Sequence, residues 1–390
     1  MPTAPTRPTD STAGRAPGRW RLLLSAGVAI AALALATLAV PASVAAQGQG
    51  DPGHGTPYPH MPHVFVIMME NASLGQIMAA GNPNTTYIRH LAHAYGLADQ
   101  YYGVTHTSLP NYMAATSGST WGSNNDDVAQ APYFNHVNLV DQLEAHGISW
   151  KAYMESLPYP GFSGAYSRNG LYAKKHDPFM LYPDIYQNRA RARHVVPLRQ
   201  LKADLASNHV PAYSWISPNL CNDMHGGVYS GSTTCPYASS KTVPGPDAQL
   251  ESDGNAFLKK WVPAIMDSPA WTQNSTIFIT WDEGSYYNYY PWNPVSSAGC
   301  CDSPIIPKPQ FDTSNTSGGD LSTGTVYGGG RVPMIVIARE GARHYQNTQP
   351  YNHYSLLRTI EANFGLGYLQ DAGDSQQVHS LRAFLMPRHS

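Results

Sequence analysis

Cysteine is scarce in this 390-residue sequence: there are four, Cys221, Cys235, Cys300 and Cys301, and none forms a C-x-x-C pair. The spacing offers no zinc ribbon or finger and leaves structural disulfides whose connectivity it does not assign. Basic residues are outnumbered, 24 Lys and Arg against 26 Asp and Glu. Residues 1–46 hold four of the arginines (Arg7, Arg15, Arg19, Arg21) and one aspartate, Asp10. The remaining 20 basic and 25 acidic residues carry a net charge of −5. That excludes the basic footprint of a nucleic-acid-binding domain. There is no P-loop and no G-x-G-x-x-G run, and "YGGGR" is an isolated glycine cluster, so the familiar nucleotide cradles are excluded. There is no G-x-S-x-G elbow either, which argues against a lipase or esterase of that type. No internal repeat is present.

Long apolar runs are also scarce: there is one, Leu22 to Val40. Arg15, Arg19 and Arg21 precede it and the small residues of "PASVAAQ" follow. This is the n-region, h-region and cleavage site of a secretory signal peptide, with cleavage expected after Ala45 or Ala46. The run is nearly long enough to span a bilayer, so an uncleaved anchor is the competing reading. The rest has no membrane span. The expected organisation is a signal peptide over 1–46, a Gly/Pro-rich linker over 47–61 and one domain over 62–390. The product is then exported, an environment that tolerates disulfides.

Beyond residue 62, apolar runs alternate with helical patterns, which predicts an α/β fold with a central, mostly parallel sheet sandwiched by helices. Several runs end in polar residues. "VFVIMMEN" ends in Glu70 and Asn71, and "STIFITWDEG" in Asp282 and Glu283. "VPAYSWISPNLCNDMHGG" ends in Asn219, Asp223 and His225, and "ISWKAYMES" in Glu155. "GGGRVPMIVIARE" reads as another buried strand after a glycine loop. Ligands of open α/β sheets bind beyond the carboxyl ends of the strands. Carboxylates gathered there repel one another unless a cation sits among them, and oxygen donors with one or two His suit a divalent metal. Each motif also has a structural reading. Glu70-Asn71 can precede a helix capped near Ser73, "WDEG" can be a turn, and Asp223 and His225 can belong to a polar loop. Recurrence on separate strands is what favours the site.

"YYGVTHTSLPNYMAATSGS" runs from an aromatic, β-like stretch into a helix. Thr105, Thr107 and Ser108 are therefore candidate nucleophiles at a helix N-terminus, where amides and dipole favour an anion. The competing reading is a Ser/Thr cap before Pro110.

"HVFVIMMENAS", "THTSLPNYMAATSG", "WISPNLCNDMHGG", "TWDEG", "GGRVPMIVIA" and "YNHYSLLRTIEANFGL" occur in that order. Together they resemble the bacterial phosphoesterase family of acid phosphatases and phospholipases C, within the alkaline phosphatase superfamily, over residues 62 to 370. The resemblance implies an alkaline-phosphatase-like fold and metal-assisted hydrolysis of a phosphate ester through a phosphoserine. It implies Ser108 as nucleophile. His106 would contact phosphate or protonate the leaving group, and His225 would join these catalytic groups. Glu70, Asn71, Asp223, Asp282, Glu283 and His353 would serve the metal, with Asn71 on metal or phosphate. The superfamily often holds two zinc ions between Asp and His sets. Here Glu283 stands in place of a His and Asn71 adds a carboxamide, shifting the donors towards oxygen and leaving metal identity and number open. The implied substrate is a small phosphate monoester or, with a different pocket, a diester such as a phospholipid head group. A non-catalytic secreted binding protein is the reading from another class. The tract "GSYYNYYPWNP" from Gly284 either lines a pocket or packs on the core. Residues 295–330 read as a long loop, a lid if it closes, tethered by Cys300 and Cys301.

Overall fold

The run Val64–Met69 forms a strand, β1, that is buried at all six positions. Its unbroken apolar character follows from its place, because a strand covered on both faces has no polar side to alternate with. The computed structural model describes residues 58–207, 209–227, 248–285, 298–303, 305–306 and 326–387. The expected signal peptide, the linker as far as residue 57, Cys235, most of the aromatic tract and most of the 295–330 loop lie outside the described residues.

The other strands are β2 (Gly96–Ala98), β3 (Tyr101–Tyr102), β4 (Trp150–Met154), β5 (Val195–Pro197), β6 (Tyr213–Ser217) and β7 (Thr276–Trp281). They are followed by β8 (Ile305–Ile306), β9 (Val326–Tyr327), β10 (Met334–Ala338), β11 (Tyr345–Asn347) and β12 (Tyr351–Asn352). Eight of them form one sheet in the order β11-β2-β10-β7-β1-β6-β4-β5. From β7 through β1, β6 and β4 to β5 every pairing is parallel. β10 pairs antiparallel with both β7 and β2. The sheet is thus mostly parallel and flanked by helices. Trp150, Trp215 and Trp281, one on each of three strands, are fully buried in its core.

The reversed strand has a consequence at the sheet edge. Met334, at the start of β10, lies opposite Thr280 near the end of β7, so the glycine run before β10 arrives beside Asp282. Gly103 N donates to Gly330 O at 2.9 Å and Gly329 N to Gly103 O at 2.8 Å. A Cβ at Gly103 would stand 2.7 Å from the Asp282 carbonyl oxygen and 3.0 Å from Gly329 Cα, so the backbones touch where a side chain has no room. Gly103→Ala is expected to destabilise the chain by about 1–3 kcal/mol by overpacking. Urea denaturation reads this as a lower midpoint at unchanged m-value, and an unaltered midpoint would disprove the close approach.

Two helices frame the same edge. Ser108–Ser117 is buried along its length and ends at Gly118 in the left-handed conformation. His353–Phe364 starts from Asn352, whose side chain accepts from the amides of Tyr354 and Ser355 in a capping box. Parallel pairing of β12 with β3 sets the start of this helix next to Tyr101. Among the described residues, no helix is long and apolar enough to cross a membrane.

Candidate active site

The carboxyl ends of β1 and β7 are joined backbone to backbone, Asp282 N donating to Met69 O at 3.0 Å. The turn after β6 closes onto the same point, with Glu70 N donating to Asp223 O at 2.8 Å. Asn71 (φ 51°) and Met224 (φ 84°) both take left-handed backbone conformations, which turn the chain sharply behind Glu70 and between Asp223 and His225. The Asn71 amide donates to Asp282 Oδ1 at 3.1 Å. Four acidic side chains, Glu70, Asp223, Asp282 and Glu283, are thereby buried together.

Ser108 opens its helix directly above this floor. Its hydroxyl donates towards Glu70 Oε2 at 3.0 Å and lies 3.3 Å from Glu283 Oε1. His106 Nδ1 is hydrogen-bonded to Glu283 Oε2. The approach to the helix is clamped by Asn111. Its Oδ1 accepts from the amides of Val104 (2.8 Å) and Thr105 (3.1 Å), and its Nδ2 donates to the carbonyls of Thr105 (2.7 Å) and Thr107 (2.8 Å). Of the three hydroxyls in the segment, Thr105 Oγ1 donates to the His106 carbonyl. Thr107 Oγ1 is buried without a hydrogen-bond partner among the described residues. Ser108 is the one between the carboxylates.

Four side chains at this edge gave no signal in the sequence. His176 and Lys175 sit in a short turn of 3-10 helix, Lys174–His176, within the connection from β4 to β5. His176 Nδ1 lies 3.1 Å from Asp223 Oδ2, and its Nε2 lies 3.1 Å from Glu70 Oε1. Tyr112, one helical turn beyond Ser108, donates to Glu70 Oε1 at 2.7 Å. Asp126 Oδ1 accepts from the Leu109 amide at 3.0 Å, and Asp126 Oδ2 accepts from Lys175 Nζ at 2.7 Å. A lone His or Lys in a loop without periodicity carries no pattern, so no rule of spacing would have found them.

Burial pushes the carboxyls of Glu70, Asp223, Asp282 and Glu283 up from the ordinary range. Neighbouring carboxylates add to this, Asp282 and Asp223 for Glu70, and Glu283 for Asp282. Burial, and then the Lys175 charge, push His176 well down and His225 down to about 3. A buried floor of like charges beside neutral imidazoles is the electrostatic complement of a cation. Asp282 Oδ2 and His176 Nε2 are buried without hydrogen-bond partners among the described residues. The His176 Nε2 contact with Glu70 is close but is not aligned as a hydrogen bond, so the nitrogen keeps its lone pair for another partner. Glu70, His176 and His225 can each offer a ligand atom within 4.8 Å of the others. These residues fit a divalent metal ion, with Asp223 orienting His176 as an outer partner of the kind metal-binding histidines require.

Set against the expected residues, the structure brings Ser108, His106, Glu70, Asp223, Asp282 and Glu283 into one cluster. Asn71 stands at its margin and reaches Asp282 through its backbone amide. His225 lies beside His176 at a ring-centroid distance of 5.1 Å. Its Nδ1 is hydrogen-bonded to the Gly226 carbonyl and its Nε2 is 3.0 Å from Lys175 Nζ. It is therefore positioned with Glu70 and His176, which could hold an ion, apart from the Ser108–His106 pair. His353 differs from the expected ligand. Its Nε2 lies 2.6 Å from the Asp282 carbonyl oxygen and its Nδ1 3.0 Å from the Tyr101 hydroxyl. With both nitrogens engaged, His353 stands behind the acidic pair and holds its backbone. Burial lowers its pKa to about 4, which keeps it neutral there.

A serine hydroxyl at a helix N-terminus over buried carboxylates and histidines, all at the carboxyl edge of a mostly parallel sheet, defines an α/β protein whose site could hold a cation. The chain belongs to the Phosphoesterase family, which it matches over residues 68–236 and 246–367. It is 27% identical over 307 residues to an acid phosphatase of Aspergillus fumigatus, covering 77% of this chain and 54% of that protein. It is 27% identical over 237 residues to a phosphatidylinositol-3-phosphatase of Mycobacterium tuberculosis, covering 60% of this chain and 68% of that protein. A solved structure of an alkaline phosphatase superfamily protein from Vibrio parahaemolyticus aligns at a TM-score of 0.44 and 11% identity, over 81% of this chain and 71% of that one. The chain spans roughly half the length of the fungal acid phosphatases it matches, 54% and 52% for two of them.

Proposed function

We propose that the chain is an exported, metal-dependent phosphoesterase that hydrolyses phosphate monoesters through a phosphoserine at Ser108. The observation that carries this reading is the Ser108 hydroxyl, held 3.0 Å and 3.3 Å from two buried carboxylates at the start of a helix. Glu70, Asp282, Glu283 and His176 would hold the ion, and His225 would join them by giving up its contact with Lys175. A bound divalent ion supplies charge neutralisation and favours the deprotonated hydroxyl.

The chain's own groups do the rest. Glu70 or Glu283 accepts the Ser108 proton, and Oγ attacks phosphorus in line with the ester oxygen. The ester bond breaks as the Ser–O–P bond forms, and the leaving alkoxide takes a proton from His106, which Glu283 orients. Asn71 would stabilise the charge that grows on the phosphoryl oxygens, since the Leu109 amide already donates to Asp126 and Pro110 has no N–H. Water then attacks phosphorus, giving one proton to His106, and the Ser–O–P bond breaks as the proton held by the carboxylate returns to Ser108.

The test is p-nitrophenyl phosphate turnover by protein recovered from the medium of expressing cells. It is measured before and after chelation and after adding back Mg, Ca, Mn or Zn. Expected are metal-dependent hydrolysis and an N-terminus at Ala46 or Gln47, from cleavage after Ala45 or Ala46. A diester in parallel separates the phosphodiesterase alternative, and no turnover of either with any ion would leave a binding protein.

A further inference from the structure

The site has a floor and a rim. Glu70 and His176 side chains are 0% and 4% exposed, whereas Lys175 and Asp126 keep 11% and 13%. Asn71 and His225 share this intermediate exposure. At the rim, Lys175 Nζ donates to Asp126 Oδ2 at 2.7 Å and lies 3.0 Å from His225 Nε2. The other oxygen of Asp126 accepts from the amide of Leu109, the residue after Ser108, at 3.0 Å. One carboxylate therefore ties an ammonium group to the start of the nucleophile's helix. An ammonium has three donors, and two have these partners. Among the described residues the third has none.

We propose that Lys175 is a specificity-determining residue whose ammonium binds the second anionic oxygen of a phosphate monoester. On this basis the site prefers the dianionic monoester to a singly charged diester. The inference rests on the phosphoesterase reading above. Five carboxylates, Glu70, Asp126, Asp223, Asp282 and Glu283, gather here against this one ammonium, so a divalent ion alone leaves the site short of positive charge. A monoester carries nearly two negative charges at neutral pH and a diester one. Coulomb attraction scales with the product of the charges. Removing one fixed cation therefore costs the dianion roughly the square of the factor it costs the monoanion. Asp126 partly offsets the charge of Lys175. It is itself turned towards the Leu109 amide, so an anion nearer the ammonium than the carboxylate still feels net attraction.

The experiment compares p-nitrophenyl phosphate with methyl p-nitrophenyl phosphate, which share a leaving group, on the full metal-loaded chain. The variants are Lys175→Gln and Lys175→Arg. Wild type is expected to favour the monoester. Lys175→Gln should lower kcat/KM by about 100-fold on the monoester and about 10-fold on the diester, and Lys175→Arg should keep the preference. Calorimetry with inorganic phosphate and dimethyl phosphate gives the same comparison without turnover, with a larger loss of affinity expected for phosphate than for dimethyl phosphate. Should Lys175→Gln not fold, the double variant Asp126→Asn/Lys175→Gln replaces the ion pair with two amides and keeps an acceptor for Leu109. It should lose preference in the same direction but by less, since the offsetting charge of Asp126 is removed as well. Equal losses on both esters, or a wild type that prefers the diester, would overturn the role of Lys175 and leave the phosphoesterase reading standing. A wild type inactive on both esters would remove that reading and this inference with it.

Discussion

Ser108→Ala is expected to lower kcat for p-nitrophenyl phosphate by a factor on the order of 10⁴ or more, the scale seen when a covalent nucleophile is deleted. The hydroxyl removed is small and sits over carboxylates, and the helix that carries it keeps its start. Asn111 still clamps the carbonyls and amides of residues 104–107, and Asp126 still accepts from Leu109. Stability should fall only modestly, by about 1–3 kcal/mol, because a buried carboxylate loses one donor while the helix start stays clamped. Thr105→Val is the contrast, because its hydroxyl bonds a backbone carbonyl and not the carboxylates. Stopped-flow turnover and trapping of a ³²P-labelled chain check the assignment together. A Ser108→Ala chain that still accumulates label would move the nucleophile to Thr107, whose buried hydroxyl is the nearest alternative.

The second large effect concerns the acidic floor. The carboxyls of Glu70, Asp223, Asp282 and Glu283 titrate higher in the folded chain than in the unfolded one. The reference values are about 3.9 for Asp and 4.3 for Glu. Above those values the folded chain binds more protons than the unfolded chain. The contribution to stability is thus complete below about pH 4 and is lost as pH rises through the folded values. His176, His225 and His353 are shifted down, so their effect has the opposite sign and ends near pH 6.5, their unfolded value. Above about pH 6.5 the histidines no longer contribute; the chelated protein is expected to lose stability as pH rises through the folded values of these carboxyls, and a divalent ion to restore it. At an ion concentration of about 100 Kd the gain is about 2.7 kcal/mol. Asp282→Asn removes one of these carboxyls. Its chelated form should lose up to about 1.4 kcal/mol per pH unit of that slope, and most of the gain from metal. Thermal melts across pH, with and without ion, decide it. An Asp282→Asn chain with the wild-type slope and the wild-type metal gain would show that Asp282 is not at the cation.

Much of the fold was legible because its signals are local. A strand covered on both faces is largely apolar, and polar side chains follow the ends of Val64–Met69, Tyr213–Ser217 and Thr276–Trp281. The reversal of β10 was not legible, since an apolar run has no direction. The glycine loop before it supplies the close approach at Asp282 that direction decides. His353 shows the same limit in the site. Its place before a helix with a clear cap could be read from "YNHYS", but which way its two nitrogens point depends on Tyr101 and Asp282, far off in sequence.

The sequence by itself determined which oxygen-bearing side chains end the strands, the hydroxyl-rich turn at the start of a helix, and the order of motifs that the family shares. These depend on neighbours a few residues away, through backbone propensity and burial. Only the tertiary structure decided that Ser108, of three nearby hydroxyls, faces the carboxylates. It alone set His176 between Glu70 and Asp223, and Lys175 at the rim beside Asp126. The reason is physical: the cost of burying these charges is met by partners brought from distant segments, and no local pattern records which partner a buried charge will find.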